Sequence, residues 1–238
     1  MARVVVVANQ KGGVGKTTVT VNLAAVLAES EGLPAERPEV EDGEEDEQPS
    51  PILVVSTDPQ ASAVWWANRV QRLPFDFVQA HDKPGELRKL RSVTQYKYVV
   101  VDTPGSLEKE DILSAVLEQA DQVIVPVLPE PLSFDPTARV IKDLIVPREL
   151  SFITVVNAWD PRDGETDRDD TWKFIDKQKW PRAKVAIRRY KVHTRAAAEG
   201  LVVTQYPKNR ISLEAKNDFY RLALEAGLGG AAVHGKAD

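Results

Sequence analysis

Short uninterrupted apolar runs alternate along this chain with stretches whose apolar residues recur at helical spacing. Residues 3–8 (RVVVVA) form the first run. It offers no polar positions for a solvent face, which predicts a strand buried on both sides. Residues 17–29 follow, with Val21, Leu23, Ala24, Val26 and Leu27 supplying the apolar face of a helix. Further strands are expected at residues 52–56, 76–78 (a short edge strand), 98–101, 122–127, 152–157 and 184–187. Helical patterns occupy 61–72, 85–91, 109–120, 136–146, 171–179, 193–199 and 212–226. Such alternation predicts an α/β fold: a mostly parallel twisted sheet, helices on both faces, right-handed crossovers. The 238 residues suit one domain, and no internal repeat interrupts the pattern.

Charge changes this picture in two places. Residues 29–50 hold ten carboxylates against Arg37, a local charge of −9, with Pro34, Pro38 and Pro49 and few large apolar residues. That composition predicts a solvated loop insertion over 30–50, without a fold of its own. Taking its −9 out of the chain's −5 leaves the remaining body at +4. Between positions 173 and 195, nine Lys and Arg face the single Asp176. This clustering suits a polyanion, and equally a solvated helix face. The Gly/Ala-rich stretch 227–238 is expected to be a flexible tail. There are no cysteines, so disulfides, thiolate metal sites and iron–sulfur clusters are excluded. No run approaches the ~20 apolar residues of a spanning helix, and the N-terminus has no secretory pattern. A cytoplasmic protein without a membrane partner is expected.

Candidate chemistry begins directly after the first strand, at Lys11-Gly12-Gly13-Val14-Gly15-Lys16-Thr17-Thr18. Glycines there let backbone N–H groups turn inward around phosphate oxygens, and the following helix N-terminus adds partial positive charge. Lys16 is expected to reach the β- and γ-phosphates, and the Thr17 hydroxyl to bind Mg²⁺. The ordinary phosphate-loop pattern needs glycine where Gln10 stands; a second lysine, Lys11, follows it. A second strand ends in Ser56-Thr57-Asp58-Pro59-Gln60, and a third in Val99-Val100-Val101-Asp102-Thr103-Pro104-Gly105. Asp102, closing an apolar strand, has the setting of a carboxylate that holds Mg²⁺ through water. Residues 103–106 then have the place of a switch loop that senses the γ-phosphate.

Together these motifs resemble the ParA/MinD family of deviant Walker A P-loop ATPases, whose loop pattern is K-G-G-x-x-K-[ST], and the resemblance extends over nearly the whole chain. It implies ATP and Mg²⁺ as cofactors and an ATP-dependent sandwich homodimer in which Lys11 reaches the partner's phosphates. It implies that Asp58 orients the attacking water and supports the metal, while Ser56 replaces the acid common in the family's D-x-D-P-Q motif. It gives Asn157 a contact with adenine, although a strand-ending turn residue reads the same way. Small plasmid-partition ParA proteins are the nearest pattern. They bind DNA without sequence preference, and a ParB-like partner stimulates their hydrolysis. Arg188, Arg189, Lys191, Arg195, Lys208 and Arg210 are the DNA-binding candidates. A DNA-partition ATPase associated with the nucleoid is therefore the expectation. A carboxysome-positioning relative or a metabolic P-loop enzyme without DNA affinity are the alternatives. Residues 212–226 precede only the Gly/Ala tail, so the basic membrane helix of MinD-like relatives is not expected. The adjacent Trp65 and Trp66 are read as one core residue and one surface residue.

Overall fold

The β-branched runs become the seven strands of one sheet in the computed structural model: β1 (Arg3–Val7), β2 (Ile52–Ser56), β3 (Asp76–Gln79), β4 (Tyr98–Asp102), β5 (Gln122–Val127), β6 (Phe152–Trp159) and β7 (Arg182–Arg188). The structure describes residues 1–36, 49–58, 66, 73–105 and 110–229. Most of the acidic stretch, Trp65, the helix expected over 61–72 apart from Trp66, Ser106 and the tail from 230 lie outside the described residues. Every strand pairing is parallel, in the order β3-β2-β4-β1-β5-β6-β7. Helices α1 (Lys16–Ser30), α2 (Pro84–Leu87), α3 (Glu110–Leu117), α4 (Phe134–Arg139), α5 (Thr166–Lys177), α6 (Lys191–Glu199) and α7 (Arg210–Glu225) connect or follow the strands.

Both sheet faces are covered. Val5 and Val7 join the core under α1 and α7, with Leu23, Leu27, Phe219 and Leu222. Val4 and Val6 join the opposite core, with Ile112, Val116 and Ile141. All four valines are fully buried, which is why β1 carries no alternation of polar residues. Trp66 is helical, 5% exposed and part of the α1 core, as the core assignment of one tryptophan required.

The helix expected over 85–91 is split into α2 and a 3-10 turn, Leu90–Ser92, and three further differences from the sequence reading have visible causes. The helix expected over 136–146 is composite: α4 passes into a π-helical stretch, Val140–Ile145, then a 3-10 turn, Val146–Arg148. Pro147 and the positive φ of Glu149 (53°) end it. Helix α5 starts at Thr166, upstream of the expected 171, although its first turn is nearly all polar. The Arg168 guanidinium lies 4.6 Å from the ring centres of both Trp159 and Trp172, and it bonds Asp169 and Glu165. Those contacts hold a turn that has no apolar face of its own. Strand β7 begins at Arg182, earlier than expected, because Thr154 already pairs with that residue.

Among the described residues, strand β7 has one strand neighbour, β6, and lies at the end of the sheet. Its outward N–H groups meet carboxylates of α7. Lys184 N–H donates to Glu225, and Arg188 N–H donates to Asp218 Oδ2 at 3.1 Å.

The chain leaves β1 toward β2 on one side and returns through β4 to β5 on the other. The carboxyl ends of β1, β2 and β4 therefore converge at the reversal of strand order, where open α/β sheets bind ligands.

Candidate functional site

The loop between β1 and α1 lies at that reversal. Gly13 and Gly15 take left-handed φ values of 75° and 81°, and Gly15 forms the N-cap of α1. A Cβ on Gly15 would lie 2.4 Å from Asn157 Nδ2, so a side chain there would displace that amide and strain the left-handed backbone. Gly12 and Gly13 are exposed, Val14 is buried, and Lys16 turns its Nζ back to the Lys11 carbonyl at 3.3 Å. Thr18 lies in the first turn of α1, where its carbonyl accepts from Asn22. Gly105 presses on the loop from the end of β4; a Cβ there would meet Gly12 Cα at 3.2 Å and Lys16 Nζ at 3.3 Å.

Acidic groups gather beneath the loop. Thr17 Oγ1 donates to Asp102 Oδ2 at 2.8 Å, while Asp102 Oδ1 is buried with no hydrogen-bond partner among the described residues. Burial pushes the Asp102 carboxyl up to about 7; the Thr17 bond and the Lys16 charge oppose the rise, and Asp58 adds to it. Burial also lowers the Lys16 ammonium from its usual range, against the charges of Asp102 and Asp58. Asp58 is half-buried at the end of β2, and Ser56, where the family pattern often has an acid, is fully buried with a hydroxyl that has no partner among the described residues. A hard cation bound by oxygen would relieve both strains: the orphaned carboxylate oxygen and the clustered negative charge. A donor set of this kind fits a hard cation such as Mg²⁺.

Two site residues have partners that sequence did not reveal. Lys11 forms an ion pair with Glu130, in the proline-rich exit from β5. Asn157 is 4% exposed, and its amide nitrogen donates to the Val14 carbonyl at 2.7 Å. Asn9 was not singled out by sequence either, yet its Oδ1 accepts the Lys11 N–H at 3.0 Å. The only sequence signal for Asn9 was its place directly before the loop.

The basic candidates follow in the chain from the carboxyl end of β7, which parallel pairing puts on the same side of the sheet as the phosphate loop. Lys191, Arg195 and Lys208 are exposed and form no ion pair with a described residue. Arg189 is exposed and lies close enough to Asp160 to act on its charge. Arg210 is exposed and bonds Glu214 at 2.9 Å. Arg188 differs from the rest. Its guanidinium donates to both oxygens of Asp218 (2.9 and 2.7 Å), to Glu214 Oε2 (2.9 Å) and to the Glu214 carbonyl (3.0 Å). Within the basic run, Lys173 and Arg182 are likewise paired, with Asp170 and Asp176.

Known proteins share this arrangement. Residues 2–33, covering β1, the loop and α1, match the family described as an AAA domain. The chain is 38% identical over 225 residues to the maintenance of carboxysome distribution protein A of Gloeobacter kilaueensis, covering 94% of this chain and 93% of that protein. The protein of the same name from Halothiobacillus neapolitanus is 28% identical over 208 residues, covering 84% and 85%. Among solved structures, the septum site-determining protein MinD of Pyrococcus horikoshii, complexed with Mg-ADP, superimposes with a TM-score of 0.69. It is 21% identical and covers 94% of this chain and 96% of that one, which marks a shared fold. With the likeness to the Gloeobacter protein running through nearly the whole of both sequences, the chain belongs to the ParA/MinD family of P-loop ATPases, which act on ATP with Mg²⁺.

Proposed function

We propose that this ATPase positions a large protein-built cargo, the carboxysome, by cycling on and off DNA as an ATP-dependent dimer. The observation that carries the reading is the 38% identity, over 94% of the chain, to a carboxysome distribution protein. Plasmid partition with a ParB-like partner, expected from sequence, is the less well supported cargo, because the second relative also bears the carboxysome name. An adaptor on the cargo takes the place of the ParB-like protein.

The residues divide the work as follows. Backbone N–H groups of residues 12–18 and the Lys16 ammonium hold the phosphate chain. Mg²⁺ neutralises charge on the β- and γ-phosphates when bound, with Thr17, Asp102 and Asp58 around it. Asp58 places the attacking water, and Lys16 faces the charge that develops as the terminal phosphate leaves. Lys11 exchanges its ion pair with Glu130 for the phosphates of the second protomer. Lys191, Arg195 and Lys208, with Arg189 and Arg210, form a phosphate-contacting surface for duplex DNA.

The test is a titration of random-sequence duplex DNA with ATP, with ADP and without nucleotide, repeated for Lys11→Ala. The reading expects salt-sensitive binding with ATP alone, lost in the variant. Deleting the gene in a carboxysome-bearing host should then collapse evenly spaced carboxysomes into clusters. DNA binding in no nucleotide state rejects DNA as the track, and unchanged carboxysome spacing rejects the cargo.

A further inference from the structure

The resemblance gives Asn157 to adenine, and the structure bonds its amide to the phosphate loop: we infer that Asn157, with Asn9, positions that loop. This holds whichever cargo the protein moves.

Asn157 ends the regular part of β6, just before an irregularity in its pairing with β7 between Val156 and Trp159. The next residue, Ala158, has φ of 57°, a left-handed conformation that an alanine adopts at a cost of about 1–2 kcal/mol. Such strain persists where the surroundings determine it, and here it accompanies an amide turned onto the loop. Asn157 Nδ2 donates to the Val14 carbonyl at 2.7 Å, over a glycine whose missing Cβ leaves room for the approach. A trans peptide is planar, so a carbonyl held toward β6 turns the next N–H, that of Gly15, in the opposite direction. Fixing one oxygen thus orients a donor of the phosphate nest.

Asn9 braces the other end. It is 2% exposed, its Oδ1 accepts the Lys11 N–H, and its Nδ2 donates to the Pro126 carbonyl (2.8 Å) and Thr137 Oγ1 (2.9 Å). The Lys11 N–H is thereby withdrawn from anion binding. The loop's entry is fastened to β5 and α4, the elements on either side of the Glu130 segment that holds the Lys11 ammonium. With both ends fixed, the glycines between need not be ordered by the ligand, and affinity rises because less entropy is lost on binding.

A loop brace and an adenine contact respond differently to a ligand without a base. Wild type, Asn157→Ala, Asn157→Asp and Asn9→Ala would each be titrated with ATP, GTP and inorganic tripolyphosphate in Mg²⁺, by displacement of a fluorescent ATP analogue. Circular dichroism would confirm folding. Asn157→Ala should weaken all three ligands by a common factor of about ten, the worth of one buried hydrogen bond, and leave the ATP-to-GTP ratio unchanged. Asn157→Asp should be weaker still, since a carboxylate then opposes the Val14 carbonyl. Asn9→Ala, on the far side of the loop, should show the same parallel loss and carries the test if Asn157→Ala does not fold. Loss of ATP affinity with tripolyphosphate unaffected overturns the inference in favour of adenine contact. Undiminished affinity in both alanine variants overturns it outright.

Discussion

Replacing Arg188 by alanine separates charge that holds the fold from charge available to a ligand. Arg188 reads in sequence as one cation among nine between residues 173 and 195, yet its partner Asp218 is 2% exposed. Removing the guanidinium leaves the Asp218 carboxylate buried, with the Arg188 backbone N–H still donating to it. Breaking a buried ion pair from one side costs roughly 3–5 kcal/mol. The arginine keeps 22% of its side-chain exposure, which places the expected loss near the lower end, about 3 kcal/mol. For a chain of this length that is a fall in melting temperature of about 6–12 °C. The deficit should shrink as the pH falls. Burial already raises the Asp218 carboxyl above its usual range against the opposing pull of Arg188, and without that pull it rises further. The native variant then binds a proton before the unfolded chain does, so acid favours its folded state. The assay is thermal or urea unfolding of wild type and Arg188→Ala at several pH values. DNA titrations over a range of salt, run well below the lower melting point, complete it. Lys208→Ala should leave the melting temperature unchanged and reduce the salt slope by about one, as for any single phosphate left without its cation. An Arg188→Ala protein as stable as wild type would refute the structural assignment.

Other consequences are open to measurement. Gly15→Ala forces a Cβ within 2.4 Å of Asn157 Nδ2 at φ of 81°, so calorimetry should find ATP binding reduced at least 100-fold, while 10% retention would contradict the geometry. Thr17→Ala should bind ATP in EDTA as wild type does and lose the gain that wild type shows when Mg²⁺ is restored; an undiminished Mg²⁺ gain would exclude the hydroxyl as ligand. Burial lowers the His193 imidazole to about 4 against an opposing hydrogen bond to the Arg188 backbone, with Phe219 edge-on to the ring at 5.8 Å. Its unfolded counterpart takes up a proton near pH 6.5, so this residue removes stability as pH falls from about 6.5 to 4, by up to about 3 kcal/mol, and has no effect above that range. Urea midpoints of wild type and His193→Gln should converge in that window, and parallel pH profiles would count against the assignment.

The elements most legible in the sequence are those whose reasons are local. The phosphate loop, the strand ending in Asp102 and the fully apolar β1 each carry their signal within a few residues, and the parallel order follows from their alternation with helices. What was not legible depends on distant partners. The Asp218 that holds Arg188 stands 30 positions away, and the Glu130 that holds Lys11 stands 119 away. Helix α5 begins early because tryptophan rings from two elements enclose Arg168, which no helical periodicity records. The π-helical stretch after α4 lies inside an apolar pattern that a continuous helix would satisfy equally well. Asn157 shows why a family role does not settle a residue's use: the same amide at the end of β6 reaches the loop first.

The carboxylates that α7 lays along β7 limit how copies of this protein can accumulate. The proposed cycle would crowd the protein onto its track and around its cargo at local concentrations far above the bulk. An end strand with free N–H groups would, under such crowding, recruit neighbours into a growing ribbon. Glu225 and Asp218 occupy the N–H groups of Lys184 and Arg188 on that strand. At this edge of the sheet, neighbouring copies are thereby left to meet through side-chain surfaces and not through a backbone ladder on those two N–H groups.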